Sequence, residues 1–273
     1  MTTLTSLLDH LSDGDVVDTA DLAKVSDSNP RSVSRWKAQT AVPRREAEGG
    51  RGSFASMTEL SFESMNRPES HFPADSTESP AHTIARLEAA AHRIDARFAN
   101  GRIVFRRFGG GDNGMRPLVL LHGGHGTWKH WIANIAALAR TRPVVCADMP
   151  GFGDSDAAAP VSSLDAIAAG VLAGLDDALG TGTRFDLAGF SFGSIVGGKV
   201  AHYAGARIEH FVVVGAGGLG VPSAPMTAMR SWRHLADEAA RVDAHRHNLA
   251  TMMLVRPARI DALAIEIQQR NTE

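Results

Sequence analysis

Between residues 102 and 214, short apolar runs alternate with stretches of helical spacing, and this alternation constrains the fold more than any other feature. Continuous apolar runs such as 117–122 are typical of strands whose two faces are both buried. The runs that predict strands are 102–108, 117–122, 144–147, 185–189 and 211–214. The stretches that predict helices between them lie near 131–139, 163–179 and 193–203. Repeated β-α-β units predict an α/β fold, a mostly parallel sheet with helices on both faces.

Helical spacing also flanks this region on both sides. Residues 83–98 carry apolar side chains on one helical stripe, which predicts an amphipathic helix. The stripe consists of Ile84, Leu87, Ala91 and Ile94. After residue 222 the sequence predicts helices only, near 225–240, 243–254 and 257–270.

The composition is that of an ordinary globular protein. The chain has 273 residues, of which 44% are hydrophobic and 21% charged, and its net charge of −2 gives no general attraction to nucleic acid or anionic membranes. The single cysteine, Cys146, excludes an internal disulfide and fits a reducing cytosol. No apolar run reaches the ~18–20 residues that span a bilayer, and the polar, acidic N-terminus is unlike a signal peptide. We expect a cytoplasmic protein with no membrane partner, and an oligomer is compatible with the sequence.

The pentapeptide Gly189-Phe190-Ser191-Phe192-Gly193 has the G-x-S-x-G pattern of a nucleophilic serine. A predicted strand precedes it and a predicted helix follows it, which is the strand–turn–helix context of a nucleophile elbow. Gly189 and Gly193 support the turn, because a Cβ at either position would clash with nearby backbone. Ser191 would lie at the N-terminus of a helix, whose dipole favours a developing oxyanion. The alternative is a glycine-flanked turn serine without a chemical role.

The glycine-rich stretch 122–126 directly follows the predicted strand that ends at Leu121. An oxyanion hole needs two backbone N–H groups directed at one point. We predict that Gly124 supplies one and Phe192, the residue after the serine, supplies the other. His122 and Gly123 are predicted to support this loop. The alternative is a tight β-α turn with no catalytic role.

Three motifs follow one another along the chain: L-L-H-G-G at 120–124, D-x-P-G-F-G-x-S at 148–155 and G-F-S-F-G at 189–193. Together they resemble the α/β-hydrolase superfamily, most of all its branch of meta-cleavage-product C–C hydrolases and related esterases, over about 81–273. The resemblance implies a small-molecule carbonyl substrate, either a carboxylic ester or a C–C bond next to a ketone, and no cofactor. It also implies a structural role for Asp148 and a helical lid that begins after residue 222.

A nucleophilic serine needs a base, and the base needs an acid that orients it. In this superfamily both follow the serine in the chain, first Asp or Glu and then His, on loops after later strands. The sequence after residue 222 instead predicts lid-like helices. All the downstream candidates lie there: Asp237, Asp243, Asp261, His234, His245 and His247. We assign none of them to a triad, and the sequence predicts a hydrolase that ends within its lid.

Two further patterns do not predict a binding site. Residues 215–220 match G-x-G-x-x-G after a strand, but Pro222 follows where a dinucleotide-binding fold requires a helix to open. The resemblance to the α/β-hydrolase superfamily implies that this stretch is a hinge between sheet and lid. His245 and His247 are two residues apart and fall on different faces of a helix, so no metal site is predicted.

Residues 19–38 resemble the helix-turn-helix of small bacterial regulators and antitoxins. Ala23, Val33 and Trp36 have the spacing at which the two helices of this motif pack. The side chains predicted to contact DNA are Arg31, Ser34, Arg35 and Lys37. Six aspartates between residues 9 and 27 oppose DNA binding by the first helix. The alternative is a helical hairpin without a role in DNA binding.

The predicted organisation has four parts. A small helical segment covers 1–45, a linker covers 46–80, the hydrolase core covers 81–221 and an incomplete lid covers 222–273. The linker is predicted to be disordered because its glycine-, proline- and serine-rich sequence cannot bury enough apolar surface. Three functions stay open: a serine hydrolase whose base is not found, a DNA-binding regulator with a hydrolase-like remnant, and an inactive fusion of two gene fragments.

Overall fold

The computed structural model describes residues 78–99, 101–109, 114–157, 163–216 and 228–272. The predicted helix-turn-helix segment lies outside these residues, and so does the linker up to residue 77. The predicted boundary between core and lid at residue 221 also lies outside them. Residues 79–216 and 228–272 belong to one compact unit.

The described strands form one six-stranded sheet in the order β1-β2-β4-β3-β5-β6. Its strands are β1 (His92–Phe98), β2 (Gly101–Phe108), β3 (Leu118–Leu121), β4 (Val144–Asp148), β5 (Phe185–Phe190) and β6 (Ile208–Val214). Strands β3 to β6 pair in parallel, whereas β1 and β2 run antiparallel at one edge. The predicted α/β class and mostly parallel sheet are therefore confirmed.

Six α-helices accompany the sheet in the described part of the chain. They are α1 (Pro80–Ala90), α2 (Ile132–Leu138), α3 (Leu164–Leu179), α4 (Phe192–Ala204), α5 (Glu238–Met252) and α6 (Ala262–Thr272). Short 3₁₀ turns occupy Trp128–Trp131, Gly205–Arg207 and Pro257–Arg259. Side-chain caps fix several starts; Ser163, for example, accepts from the Ala166 N–H ahead of α3. No helix among these residues is both long and apolar enough to cross a bilayer.

Alternate residues of the central strands point into two different hydrophobic cores. In β3, Val119 and Leu121 belong to the core that α3 and α4 cover, while Leu120 belongs to the core on the opposite face. The second core contains residues of α1 and α2, Trp128, and Ile267 from α6. Both faces of the central sheet are thus buried, as its continuous apolar runs predict.

The predicted helix over 83–98 is wrong in its second half. Helix α1 ends at Ala90, and 92–98 form strand β1, paired antiparallel with β2. The strand alternates charged, exposed positions such as Arg93 and Asp95 with less exposed positions such as Ile94 and Ala96. This period of two, satisfied by backbone pairing with β2, outweighs the helical spacing of the same residues.

The predicted helix near 225–240 is also wrong over 228–237, which are not helical, whereas 238–240 are the first residues of α5. Asn248 explains the difference: its side chain accepts from the Arg230 N–H at 2.8 Å and donates to the Arg230 carbonyl at 2.9 Å. Helix α5 begins only after Asp237, whose carboxylate accepts from the Ala240 N–H. The helices predicted near 243–254 and 257–270 correspond to α5 and α6.

Candidate active site

Ser191 is the single residue between the end of β5 at Phe190 and the start of α4 at Phe192. Its backbone has φ 51° and ψ −116°, a region that residues with a side chain rarely occupy. Its N–H donates to the Val214 carbonyl of β6 at 2.8 Å, and its carbonyl accepts from the Ser194 N–H at 2.9 Å. Only one other non-glycine residue in the described ranges has a positive φ, and it is His125 in the loop after β3.

The two glycines that flank Ser191 lie where no side chain fits. A Cβ on Gly189 would come within 2.4 Å of the Gly193 carbonyl oxygen. A Cβ on Gly193 would come within 2.4 Å of the His122 carbonyl oxygen and 2.5 Å of the Leu121 carbonyl oxygen. The backbone of the turn therefore contacts the end of β3 directly.

The loop after β3 faces the serine turn. A Cβ added to Gly123 would lie 3.4 Å from the Ser191 Cβ, and one added to Gly124 would lie 3.7 Å from the Phe192 Cβ. The two residues predicted to supply oxyanion donors, Gly124 and Phe192, therefore adjoin each other. We call 122–126 the oxyanion loop, after the role that the sequence predicts for Gly124.

His122 is fully buried, and both of its ring nitrogens have backbone partners. Nε2 accepts from the Met149 N–H at 3.0 Å, so the proton resides on Nδ1, which lies 2.7 Å from the Gly123 carbonyl oxygen. Burial lowers the pKa of His122 to about 4, although its bond to Gly123 works in the opposite direction. His122 is therefore a neutral residue that joins the oxyanion loop to the loop after β4, and neither nitrogen is free to act as a base.

His130 also lies at the site, although no pattern in the sequence indicates it. Its Nδ1 accepts the Gly123 N–H at 3.2 Å, and its ring packs edge-on against Phe190 with centroids 5.7 Å apart. Burial, and to a lesser degree His122, lowers the pKa of His130 to about 3. No motif includes this position, because the 3₁₀ turn of 128–131 carries the ring back to the oxyanion loop.

Arg106 is the second residue that the sequence did not reveal. Its side chain is buried in the sheet, and Nη1 lies 2.8 Å from Asp148 Oδ2. Nη2 pairs with Glu88 at 2.9 Å and with Asp154 at 2.5 Å. Asp148 Oδ1 in turn accepts from the Trp128 N–H at 2.8 Å. The structural role that the resemblance implies for Asp148 agrees with these contacts, which anchor the residues that follow the oxyanion loop.

The downstream acids have other partners. Asp237 and Asp261 cap helices by accepting from Ala240 and Ala264, and Asp243 pairs with Arg230 at 2.7 Å. Each of the three therefore has a partner within the segment 228–272.

The downstream histidines are likewise engaged locally. His234 lies 3.2 Å from the Ser231 hydroxyl, and His247 lies 3.1 Å from the Ala228 carbonyl oxygen. His245 is buried against the Trp232 ring at 5.1 Å, and burial lowers its pKa. Within the described ranges, no side chain hydrogen-bonds to the Ser191 hydroxyl.

Among the described residues, no group of three His, Cys, Asp or Glu side chains is suited to hold a metal ion. The G-x-G-x-x-G stretch is described only as far as Ala216, so its interpretation as a hinge stays a prediction.

The model of the alpha/beta hydrolase fold family matches residues 116–248. The dihydrolipoyllysine-residue acetyltransferase component of an acetoin cleaving system from Pseudomonas putida is 38% identical over 44% of this chain and 32% of that protein. A 2-hydroxy-6-oxononadienedioate/2-hydroxy-6-oxononatrienedioate hydrolase from Burkholderia vietnamiensis is 32% identical over 52% of this chain and 50% of that protein. The chain thus spans half or less of the length of these curated relatives.

Among solved structures, an esterase from Rhodococcus sp. ECU1013 superposes with a TM-score of 0.52 at 24% sequence identity. The match covers 67% of this chain and 69% of the esterase, and it bears on the fold alone. The sheet order and the family match over 116–248, just under half of the chain, both agree with the fold of the α/β-hydrolase superfamily.

Proposed function

We propose that this chain is a serine hydrolase that uses Ser191 as its nucleophile on a carboxylic ester or on a C–C bond next to a ketone. The observation that carries the proposal is the backbone of Ser191, held at φ 51° between the end of a parallel strand and the start of a helix. Strained backbone of this kind persists where the surroundings enforce it, most often at functional sites. Such a turn presents the serine hydroxyl above the edge of the sheet.

The proposed reaction begins when Ser191 Oγ attacks the carbonyl carbon. A C–O bond forms, the carbonyl oxygen becomes an oxyanion, and the hydroxyl proton passes to a base. Collapse of this intermediate expels an alkoxide from an ester, or a stabilised carbanion from a ketone, and the base returns its proton to the leaving group. Water then attacks the acyl-serine, releases a carboxylic acid and restores the hydroxyl.

Two backbone N–H groups are suited to the oxyanion. Phe192 is the first residue of α4, and the first N–H groups of a helix have no acceptor within it. The Gly124 backbone adjoins Phe192 from the oxyanion loop. Removing one preorganised donor of this kind typically costs about 10²–10³-fold in kcat, so the pair would contribute much of the rate.

The base is the part of the mechanism that the described residues do not supply. His122 and His130 already accept backbone N–H bonds, and in the described ranges nothing else reaches the Ser191 hydroxyl. In serine proteases, the oxyanion hole and substrate binding alone retain roughly 10³–10⁴-fold acceleration over water. We therefore expect slow turnover, to which attack by Ser191 adds a contribution above this residual rate.

The curated relatives support a carbonyl substrate. The Burkholderia vietnamiensis protein is named as a hydrolase of 2-hydroxy-6-oxo dienedioates, and its 32% identity extends over 52% of this chain. This likeness favours the C–C alternative, while the same attack by Ser191 would also cleave an ester.

Steady-state hydrolysis of a p-nitrophenyl ester by the full chain tests the proposal. We expect Ser191→Ala to lower the enzyme-dependent rate, while Ser231→Ala, a change to an exposed serine of the C-terminal segment, leaves it unchanged. Equal rates for Ser191→Ala and the unmodified protein would refute the assignment. A 2-hydroxy-6-oxo dienoate, offered separately, distinguishes C–C cleavage from ester hydrolysis.

A further inference from the structure

The geometry points to His130 as a positioning residue that, through its bond to the Gly123 N–H, orients the oxyanion loop so that the Gly124 N–H faces the nucleophile. The inference rests on the proposed function, in which Gly124 is an oxyanion donor. It adds a residue that no motif of the sequence contains.

Two imidazoles hold two successive peptide planes of the oxyanion loop. The plane between His122 and Gly123 is held through its N–H, which donates to His130 Nδ1 at 3.2 Å. The plane between Gly123 and Gly124 is held through its carbonyl, 2.7 Å from His122 Nδ1. In a trans peptide the N–H and C=O point in opposite directions. Because the Gly123 carbonyl faces the buried ring of His122, the Gly124 N–H faces the opposite way, and Gly124 is exposed there.

The ring of His130 is itself fixed from several directions. It packs edge-on against Phe190, the residue before the nucleophile, at 5.7 Å. It also lies directly over Gly126, where an added Cβ would come within 2.1 Å of a ring carbon. The turn that carries it is anchored by the bond from the Trp128 N–H to Asp148 and by the bond from the His130 N–H to the Thr127 carbonyl at 3.0 Å. His130 is therefore placed by residues on both sides of the site.

The bond requires a neutral ring with a defined tautomer. His130 Nδ1 accepts, so its proton is on Nε2, whereas His122 carries its proton on Nδ1 because its Nε2 accepts from Met149. Burial keeps both rings neutral, with pKa values of about 3 for His130 and about 4 for His122. The two neighbouring histidines thus have opposite tautomers, one donating to the loop and the other accepting from it.

Two variants distinguish the role of His130 Nδ1 as an acceptor from the packing of the His130 ring. His130→Asn retains an acceptor near the place of Nδ1, whereas His130→Phe retains the ring without the acceptor. Loss of orientation should act in the transition state, where the oxyanion forms. We expect His130→Phe to lower kcat for a p-nitrophenyl ester about 10-fold or more with KM within about 2-fold, and His130→Asn to recover most of kcat. Equal kcat for both variants, or a change confined to KM, would overturn the inference.

A second measurement on the unmodified full chain does not depend on turnover or on variant folding. Long-range ¹H–¹⁵N correlation spectra should show His130 as the Nε2–H tautomer and His122 as the Nδ1–H tautomer, neither titrating between pH 5 and 8. An Nδ1–H tautomer or a titrating ring at His130 would contradict the positioning role. If the tautomers are as expected but no ester or dienoate is hydrolysed, the proposed function fails while the His130–Gly123 contact stands.

Discussion

The surroundings of Ser191 and the C-terminal segment 228–272 are built in opposite ways. Around the serine, polar groups bond to elements far away in sequence; the Met149 N–H, for example, reaches His122. In the segment 228–272 the candidate acids bond mainly to near neighbours, as when Asp261 caps α6. Long-range contacts thus fix Ser191 and the oxyanion loop, whereas the acids and histidines downstream have partners within their own segment. The contrast explains why Ser191 stands out as a candidate nucleophile while no downstream residue stands out as a candidate base.

The largest expected effect concerns the ion pair beneath the oxyanion loop. Arg106→Met would leave Asp148, which is only 1% exposed, without its cation, and breaking a buried pair typically costs about 3–5 kcal/mol. In the C-terminal segment the matched change Arg230→Met removes an exposed pair, worth less than about 1 kcal/mol. Urea unfolding at pH 7 measures both. Similar losses in the two variants would remove the distinction between the regions.

Steric fit at the serine turn should produce the next largest effect. Gly193→Ala directs a Cβ at two carbonyl oxygens within 2.5 Å, and because backbone cannot move aside cheaply we expect a loss of about 3 kcal/mol in the free energy of unfolding. The matched variant Gly124→Ala meets nothing closer than 3.7 Å and should cost less than about 1 kcal/mol. Thermal and urea unfolding provide the comparison. A Gly193→Ala protein as stable as Gly124→Ala would show that the turn is looser than described.

Acid should weaken the fold through the two buried imidazoles. Their folded pKa values, about 4 for His122 and about 3 for His130, lie below the usual value near 6.5. Below pH 6.5 the unfolded chain therefore binds more protons than the folded protein, and the free energy of unfolding falls as pH falls. Between pH 7 and 5 each histidine should contribute a loss of about 2 kcal/mol. In His130→Asn the free energy of unfolding should fall by about 2 kcal/mol less between pH 7 and 5 than in the unmodified protein. The same pH dependence in both proteins would contradict a lowered pKa for His130.

The smallest expected effect distinguishes two buried histidines. His245 Nδ1 is buried without a partner among the described residues, so His245→Phe should leave stability unchanged or raise it by up to about 1 kcal/mol. His122→Phe would instead leave the Met149 N–H and the Gly123 carbonyl unpaired, which should cost about 2 kcal/mol or more. Unfolding midpoints of the two variants should move in opposite directions, or only that of His122→Phe should move. A large loss in His245→Phe would indicate a partner for its Nδ1.

Much of the fold follows from local pattern because strands buried on both faces have few alternatives. The alternation along 102–214 predicts every strand from β2 to β6. Pattern fails where a distant residue decides the backbone. Strand β1 has helical spacing as well, and only pairing with β2 selects the strand. Similarly, Asn248 holds Arg230 in a non-helical segment from eighteen positions away, and no local pattern at 228–237 contains that information.

At the candidate site, too, local sequence predicts some features, while others depend on distant contacts. The turn at Ser191 could be predicted because the glycines on either side of it are residues that such a tight turn requires. His130 and Arg106 could not, because each acquires its role from contacts across the fold. An arginine in a strand or a histidine in a short turn has no sequence signature of such a role.

Covalent labelling of the full chain with a fluorophosphonate, followed by peptide mass spectrometry, tests whether Ser191 is the nucleophile. We expect slow, single-site labelling at Ser191 in the folded protein, lost after denaturation and absent in Ser191→Ala. Labelling spread over other serines, or none at Ser191 in a protein shown to be folded, would contradict a nucleophile prepared by its backbone and by the oxyanion loop.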